Sequence, residues 1–184
     1  RRTLHASIVA TLEQLHAERL DEQVELLAHH ALRGAVWDRA VVYCRQAGNK
    51  AAARSAHQEA VTYFEQALSA LRQLPERRET IEQAIDLQFD LRASLMSLGE
   101  LTRIPDCLHE AETLAVALND QRRLGLVYAS MGQYAWLMGD QERYLEISQR
   151  ALAIAEPLGN FDLQVRATYY LGTAYHTLGD YARA

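Results

Sequence analysis

Residues able to do chemistry are few and scattered. In DEQVELLAHHALRG (21–34), His29 and His30 are adjacent and Glu25 stands four residues before His29. On a helix, neighbouring side chains leave the axis about 100° apart, so one imidazole faces a packed neighbour and the other faces water. Glu25 and His29 share a face. A zinc site would need a third ligand, and none lies within local reach, so a packed or half-exposed histidine pair is expected and no metal. His57 opens a helical pattern, close to its cap. Cys44 and Cys107 sit in separate helical patterns and are expected to be reduced and at least partly buried. There is no GxxxxGK[ST], no GxGxxG after a strand, no HExxH and no CxxC. The expectation is no catalytic residue, no cofactor and no enzyme activity.

The elements that would position any site are helices. Glycine (9 residues) and proline (3) are too sparse for the frequent turns of a sheet protein. Ala, Leu, Glu, Gln and Arg, all strong helix formers, fill the chain almost end to end. Lys plus Arg is 19 against 24 Asp plus Glu, a net charge of −5. That balance gives no electrostatic case for nucleic acid or an anionic membrane. No run of 18 apolar residues is present and no signal peptide is visible, so a cytoplasmic location is expected. Residue 1 is arginine rather than methionine, so the true start is expected to lie upstream or to have been removed. The helical segments read 2–18, 21–34 stopping on Gly34, 36–48, a short 49–56, and 57–75 ending before Pro75. They continue as 78–99, 100–118 with Pro105 marking the true first turn, 122–139, 140–159 and 161–179.

Punctuation recurs. Gly99, Gly139 and Gly179 are spaced by 40 in SLGE, LMGD and TLGD, where a left-handed residue can stop a helix. Asp140 and Asp180 can then cap the next helix. Ala60, Phe64 and Ala67 fall at offsets 0, 4 and 7 on one helical face. The same offsets give Ile104, Leu108 and Ala111, then Tyr144, Ser148 and Ala151, with Ala184 starting a further match.

This pattern resembles the tetratricopeptide repeat, a helix–turn–helix unit. In LGTAYHTLGDYARA, Leu171, Gly172 and Tyr175 fall on the family's first-helix Leu-Gly-x-x-Tyr pattern, Gly179 on its turn glycine and Ala184 on its second-helix alanine. The preceding unit keeps Tyr128, Gly132 and Gly139 but departs at Ala135 and Tyr144. The one before has Arg92 at the small-residue position, and the intervals are 44, 40 and 40 instead of 34. The resemblance implies an all-α, right-handed solenoid of antiparallel helical hairpins over 57–184, its last repeat truncated, with 1–56 leading into it.

In that family the first helices line a concave groove. By register the groove positions are Asp86, Phe89, Ala93, Met96 and Ser97; then Leu126, Ala129, Gln133, Trp136 and Leu137; then Arg166, Tyr169, Thr173, His176 and Thr177. Phe89, Gln133, Trp136, Arg166, Tyr169, Thr173 and His176 are the candidate partner-binding residues. Aromatics and arginine commonly anchor interfaces. For Trp136 and Phe89 the sequence leaves groove and inter-repeat core both open, whereas Arg166 and His176 suit groove or open surface.

The front part has a second resemblance. RRTLHASIVATLEQL, followed by ELLAHHALRGAVWDRAVVYCRQAGNKAAARSAHQEAVTYFEQAL, looks like the junction in large bacterial signalling proteins where an ATPase module runs into a helical repeat array. Some of these carry a class III nucleotide cyclase domain and others a transcriptional regulator domain. The resemblance implies a non-catalytic protein-interaction or intramolecular regulatory module. Its partner would be a protein, a peptide or the parent chain's own ATPase or effector domain, with no direct nucleic acid and no membrane. The alternative is a small-molecule sensor holding a ligand in the concave face. Self-association through the edge of the last repeat is a third expectation.

Overall fold

The computed structural model describes residues 1–15 and 17–183. Among them there are α-helices, two short 3₁₀ turns and loops, with no strand. The helices are α1 (Arg2–Leu15), α2 (Val24–Gly34), α3 (Trp37–Ala53), α4 (His57–Leu71), α5 (Arg78–Leu98), α6 (Ile104–Ala117), α7 (Gln121–Leu137), α8 (Gln141–Leu158) and α9 (Phe161–Thr177). None is long and apolar enough to cross a membrane. The chain divides into two compact units, Arg1–Arg103 and Ile104–Ala184.

In the first unit each helix from α1 to α5 packs on the next. The offset pattern is its core: Ala60, Phe64 and Ala67 are all buried. Three features of these helices differ from the sequence reading. Residues 36–48 and 49–56 do not form two helices, because α3 runs unbroken through Gly48 to Ala53. Gly48 serves packing: a Cβ there would lie 2.5 Å from Phe64 Cε1, so only a hydrogen lets the Phe64 ring come this close to α3. Helix α2 does end on Gly34, as the sequence predicts, but the left-handed residue that follows is Ala35, φ 56. Gly34 instead admits the backbone of α1, since a Cβ would meet Ala6 N at 2.8 Å. Helix α4 ends at Leu71, where Gln73 N donates to Ala70 O and Leu74 N to Leu71 O in a tighter turn that runs out before Pro75.

In the second unit α6 packs on α7, α7 on α8, and α8 and α7 on α9. Helix α6 starts at Ile104, with Pro105 in its first turn as the sequence predicts. Ile104, Leu108, Ala111, Tyr144, Ser148 and Ala151 are all buried. Helices α7 and α9 start 40 residues apart and have the same length, 17 residues. Their ends match atom for atom. Asp140 N donates to Ala135 O and Gly139 N to Trp136 O; Asp180 N donates to Tyr175 O and Gly179 N to His176 O. The same pair closes α5, from Glu100 N to Leu95 O and Gly99 N to Met96 O. Gly99, Gly139 and Gly179 have φ of 72°, 75° and 80°, the conformation this helix stop requires.

Asp140 caps α8 by accepting from Arg143 N at 3.1 Å. Asp180 was expected to do the same, but its carboxylate takes the Arg183 side chain at 2.6 Å and residues 181–183 form a turn. Ala184 lies outside the described residues. Small residues again set the closeness of packing. Gly132 on α7 faces Ser148 and Tyr144 of α8, and a Cβ at Gly125 would meet Leu163 of α9 at 2.4 Å.

Candidate functional site

The three-and-four spacing that buries one side of α7 and α9 leaves another side of each exposed or half-buried, with Leu126 packed against the core at its margin. On α7 this side carries Arg122, Leu126, Gln133 and Trp136, and on α9 it carries Arg166, Tyr169, Thr173 and His176. Trp136 is 50% exposed and Tyr169 69%, so the core alternative for Trp136 gives way to surface. Arg166, Gln133 and His176 are exposed and Thr173 is half-buried. Ala129, also read as a groove position, is buried against Ala155 and Leu163. Phe89 is half-buried on α5 of the first unit, one turn from Asp86 and beside Asp90, which both pair with Arg45.

The α9 aromatics connect surface to core. The Tyr169 ring lies 5.8 Å from Tyr170, and Tyr170 lies 6.3 Å from the buried Tyr144. Burial pushes the Tyr144 phenol up to about 12, and the hydrogen bond with Thr173 pulls against it. Thr173 Oγ1 donates to Tyr169 O at 2.9 Å, so its side chain is anchored to its own helix. The His176 ring stands edge-on to Tyr181 at 5.3 Å.

Sequence reasoning missed a cleft of ≈ 190 Å³ at the head of this surface, lined by Arg122, Leu126, Asn160, Asp162, Leu163 and Arg166. The start of α9 shapes it: Asn160 Oδ1 accepts from Leu163 N at 3.2 Å and caps the helix there. Arg123, next to Arg122, is tied to Asp120 at 2.8 Å. Arg122 and Arg166, by contrast, have no ion-pair or hydrogen-bond partner among the described residues. Two free guanidinium groups and one carboxylate, Asp162, therefore border a cleft floored by Leu126 and Leu163. The signal was present in the sequence, since Arg122 lies one turn before Leu126 on the same α7 register. Among the described residues no group of three His, Cys, Asp or Glu side chains is placed to hold a metal ion.

No protein-family profile matches the chain, and no curated protein does. Among solved structures it is similar to the crystal structure of BtubC (BKLC) from P. vanneervenii, with a TM-score of 0.72 and 18% identity. The match covers 100% of this chain and 84% of that one. At this identity the likeness is one of fold.

Proposed function

We propose that this chain is a non-catalytic, tetratricopeptide-like array of helical hairpins that binds a segment of another protein, or of its own parent chain, along the exposed side of α7 and α9. The repeat reading is supported by the identical helix ends at Gly99, Gly139 and Gly179 and by the buried offsets at 60, 104 and 144. The link to a bacterial ATPase-coupled signalling protein rests on the resemblance of residues 1–75 alone. The observation that carries the binding reading is the pair of unpartnered arginines, Arg122 and Arg166, at one end of a surface that also exposes Trp136 and Tyr169.

Guanidinium groups recognise carboxylates with two parallel hydrogen bonds, and exposed aromatics supply rigid contact area. A peptide carrying acidic side chains beside an aromatic one fits both. The cleft, at ≈ 190 Å³, is smaller than the roughly 300–1,000 Å³ typical of small-molecule sites. It suits a side chain or chain terminus better than an enclosed metabolite, which favours the peptide reading over the sensor.

The test is fluorescence anisotropy with a labelled synthetic peptide bearing two adjacent carboxylates and an aromatic residue. Arg122→Ala with Arg166→Ala should weaken binding at least tenfold with the helical circular dichroism intact, since charge-assisted bonds are worth about 1.5–3 kcal/mol each. Unchanged affinity in the folded double variant would remove the reading.

A further inference from the structure

Three imidazoles meet where α1 lies on α2. His5 Nδ1 and His30 Nδ1 are 2.8 Å apart. The ring centroids are 5.0 Å apart for His5 and His30, 5.3 Å for His29 and His30, and 6.2 Å for His5 and His29. A bond between two imidazole nitrogens holds one proton: one ring donates and the other must be neutral to accept. A second proton makes both nitrogens donors, so the bond is lost and two cations face each other at contact distance.

The rest of the α1 contact is modest, with Ile8 and Leu12 half-buried. Val9 is its only buried residue among those described, and Leu4 and Leu15 are 63% and 71% exposed. At its far end Glu13 accepts from Tyr43 and pairs with Arg39 at 3.3 Å. The close approach of Ala6 to Gly34 keeps the α1 and α2 backbones in contact beside these rings, so repulsion between His5 and His30 acts across the helix contact itself.

The charges around the cluster do not absorb added protons. Arg1 and Arg2 precede His5 on α1, and Arg33 follows His30 by one turn on α2. His29 lines a cleft of ≈ 390 Å³ with Glu25 and Arg33 of α2 and Glu59 and Tyr63 of α4. Glu25 is already bound by Lys50 of α3 at 2.9 Å, and Glu59 by Arg54 at 2.6 Å.

We propose that the α1–α2 contact is a proton-sensitive latch, in which protonation of the His5–His29–His30 cluster releases α1 and uncovers the α2 face beneath it. Burial, and then the neighbouring His5 and His29, hold the His30 imidazole below its ordinary value of 6.5. On release His30 regains that ordinary value, so the undocked state binds more protons. Docking is therefore fully held above about 6.5 and is lost as the pH falls through this value towards the lower docked one.

Hydrogen exchange of the 184-residue chain, corrected for intrinsic rates and read at about pH 7.5 and about pH 5.5, tests the latch. Protection across α1 should fall at the lower pH by up to about tenfold, the most that one linked proton allows, while α4 in the same unit keeps its protection. His5→Gln and His30→Gln should each shrink that fall at least threefold. Equal α1 protection at both pH values overturns the proposal, as does an undiminished fall in both variants. If neither variant folds, a proton NMR titration of the unmodified chain decides. One ring titrating below its ordinary range, with α1 amides changing in step, supports the latch, and three ordinary titrations with static α1 amides overturn it.

Discussion

Cys44 lies fully buried on α3, and burial pushes its thiol up to about 12. The thiolate is the reactive form, so at neutral pH this sulfur is a small apolar group in a helix interface. A chain with Cys107→Ser is expected to leave Cys44 unreactive towards a thiol-specific disulfide reagent in native buffer. Modification should then track unfolding in urea, and rapid native-state labelling would show that Cys44 is reached without unfolding. Residue character of this kind was legible, because a cysteine on the apolar side of a helical pattern has a predictable fate. Trp136 was not legible in the same way. Its spacing on α7 fits both the buried and the open side, and only the placement of Gly132 and Ala135 against α8 turns it outward.

Glycine has opposite meanings in different helices, and this explains where element boundaries were misread. At Gly99, Gly139 and Gly179 the backbone is left-handed and nothing lies within 4 Å of an added Cβ. At Gly48 the backbone stays helical and the crowding comes from another helix, which a local pattern does not reveal. Three atoms of the Phe64 ring would lie 2.5, 2.8 and 2.9 Å from a Cβ at Gly48. Gly132 differs, because its nearest atoms would be at 3.6 and 3.7 Å, ordinary contact. Alanine gains about 1 kcal/mol over glycine in a helix interior, whereas forcing a methyl group into a packed core costs about 1–3 kcal/mol. Gly48→Ala should therefore destabilise by up to about 2 kcal/mol net, the overpacking outweighing the propensity gain. Gly132→Ala should be neutral or stabilising by up to about 1 kcal/mol. Urea midpoints of the two variants check this, and shifts of the same sign and size would show that packing at Phe64 does not decide the difference.

At the scale of the whole molecule, the all-helical class was legible because helix formers fill the chain and its stops recur at a fixed interval. The cleft at Arg122 and Arg166 was less so, since it depends on which arginines find partners: Arg123 does and its neighbour Arg122 does not. That contrast sets a local positive site on a chain of net charge −5, and the two act on an acidic peptide over different distances. At about 0.01 M salt the screening length is roughly 30 Å, so the net negative field reaches an approaching anion; at about 0.1 M it is roughly 10 Å and that field is largely lost. The arginine contacts, made at hydrogen-bond distance, weaken only as salt rises further. Affinity for the acidic peptide should therefore pass through a shallow maximum near about 0.1 M salt. In the Arg122→Ala, Arg166→Ala chain the attraction is gone and only the repulsion remains to be screened, so residual affinity should rise steadily with salt. Anisotropy titrations across that range distinguish the cases. A steady fall with salt in the unmodified chain would mean that the net charge plays no part, and a steady rise would mean that the two arginines do not hold the ligand.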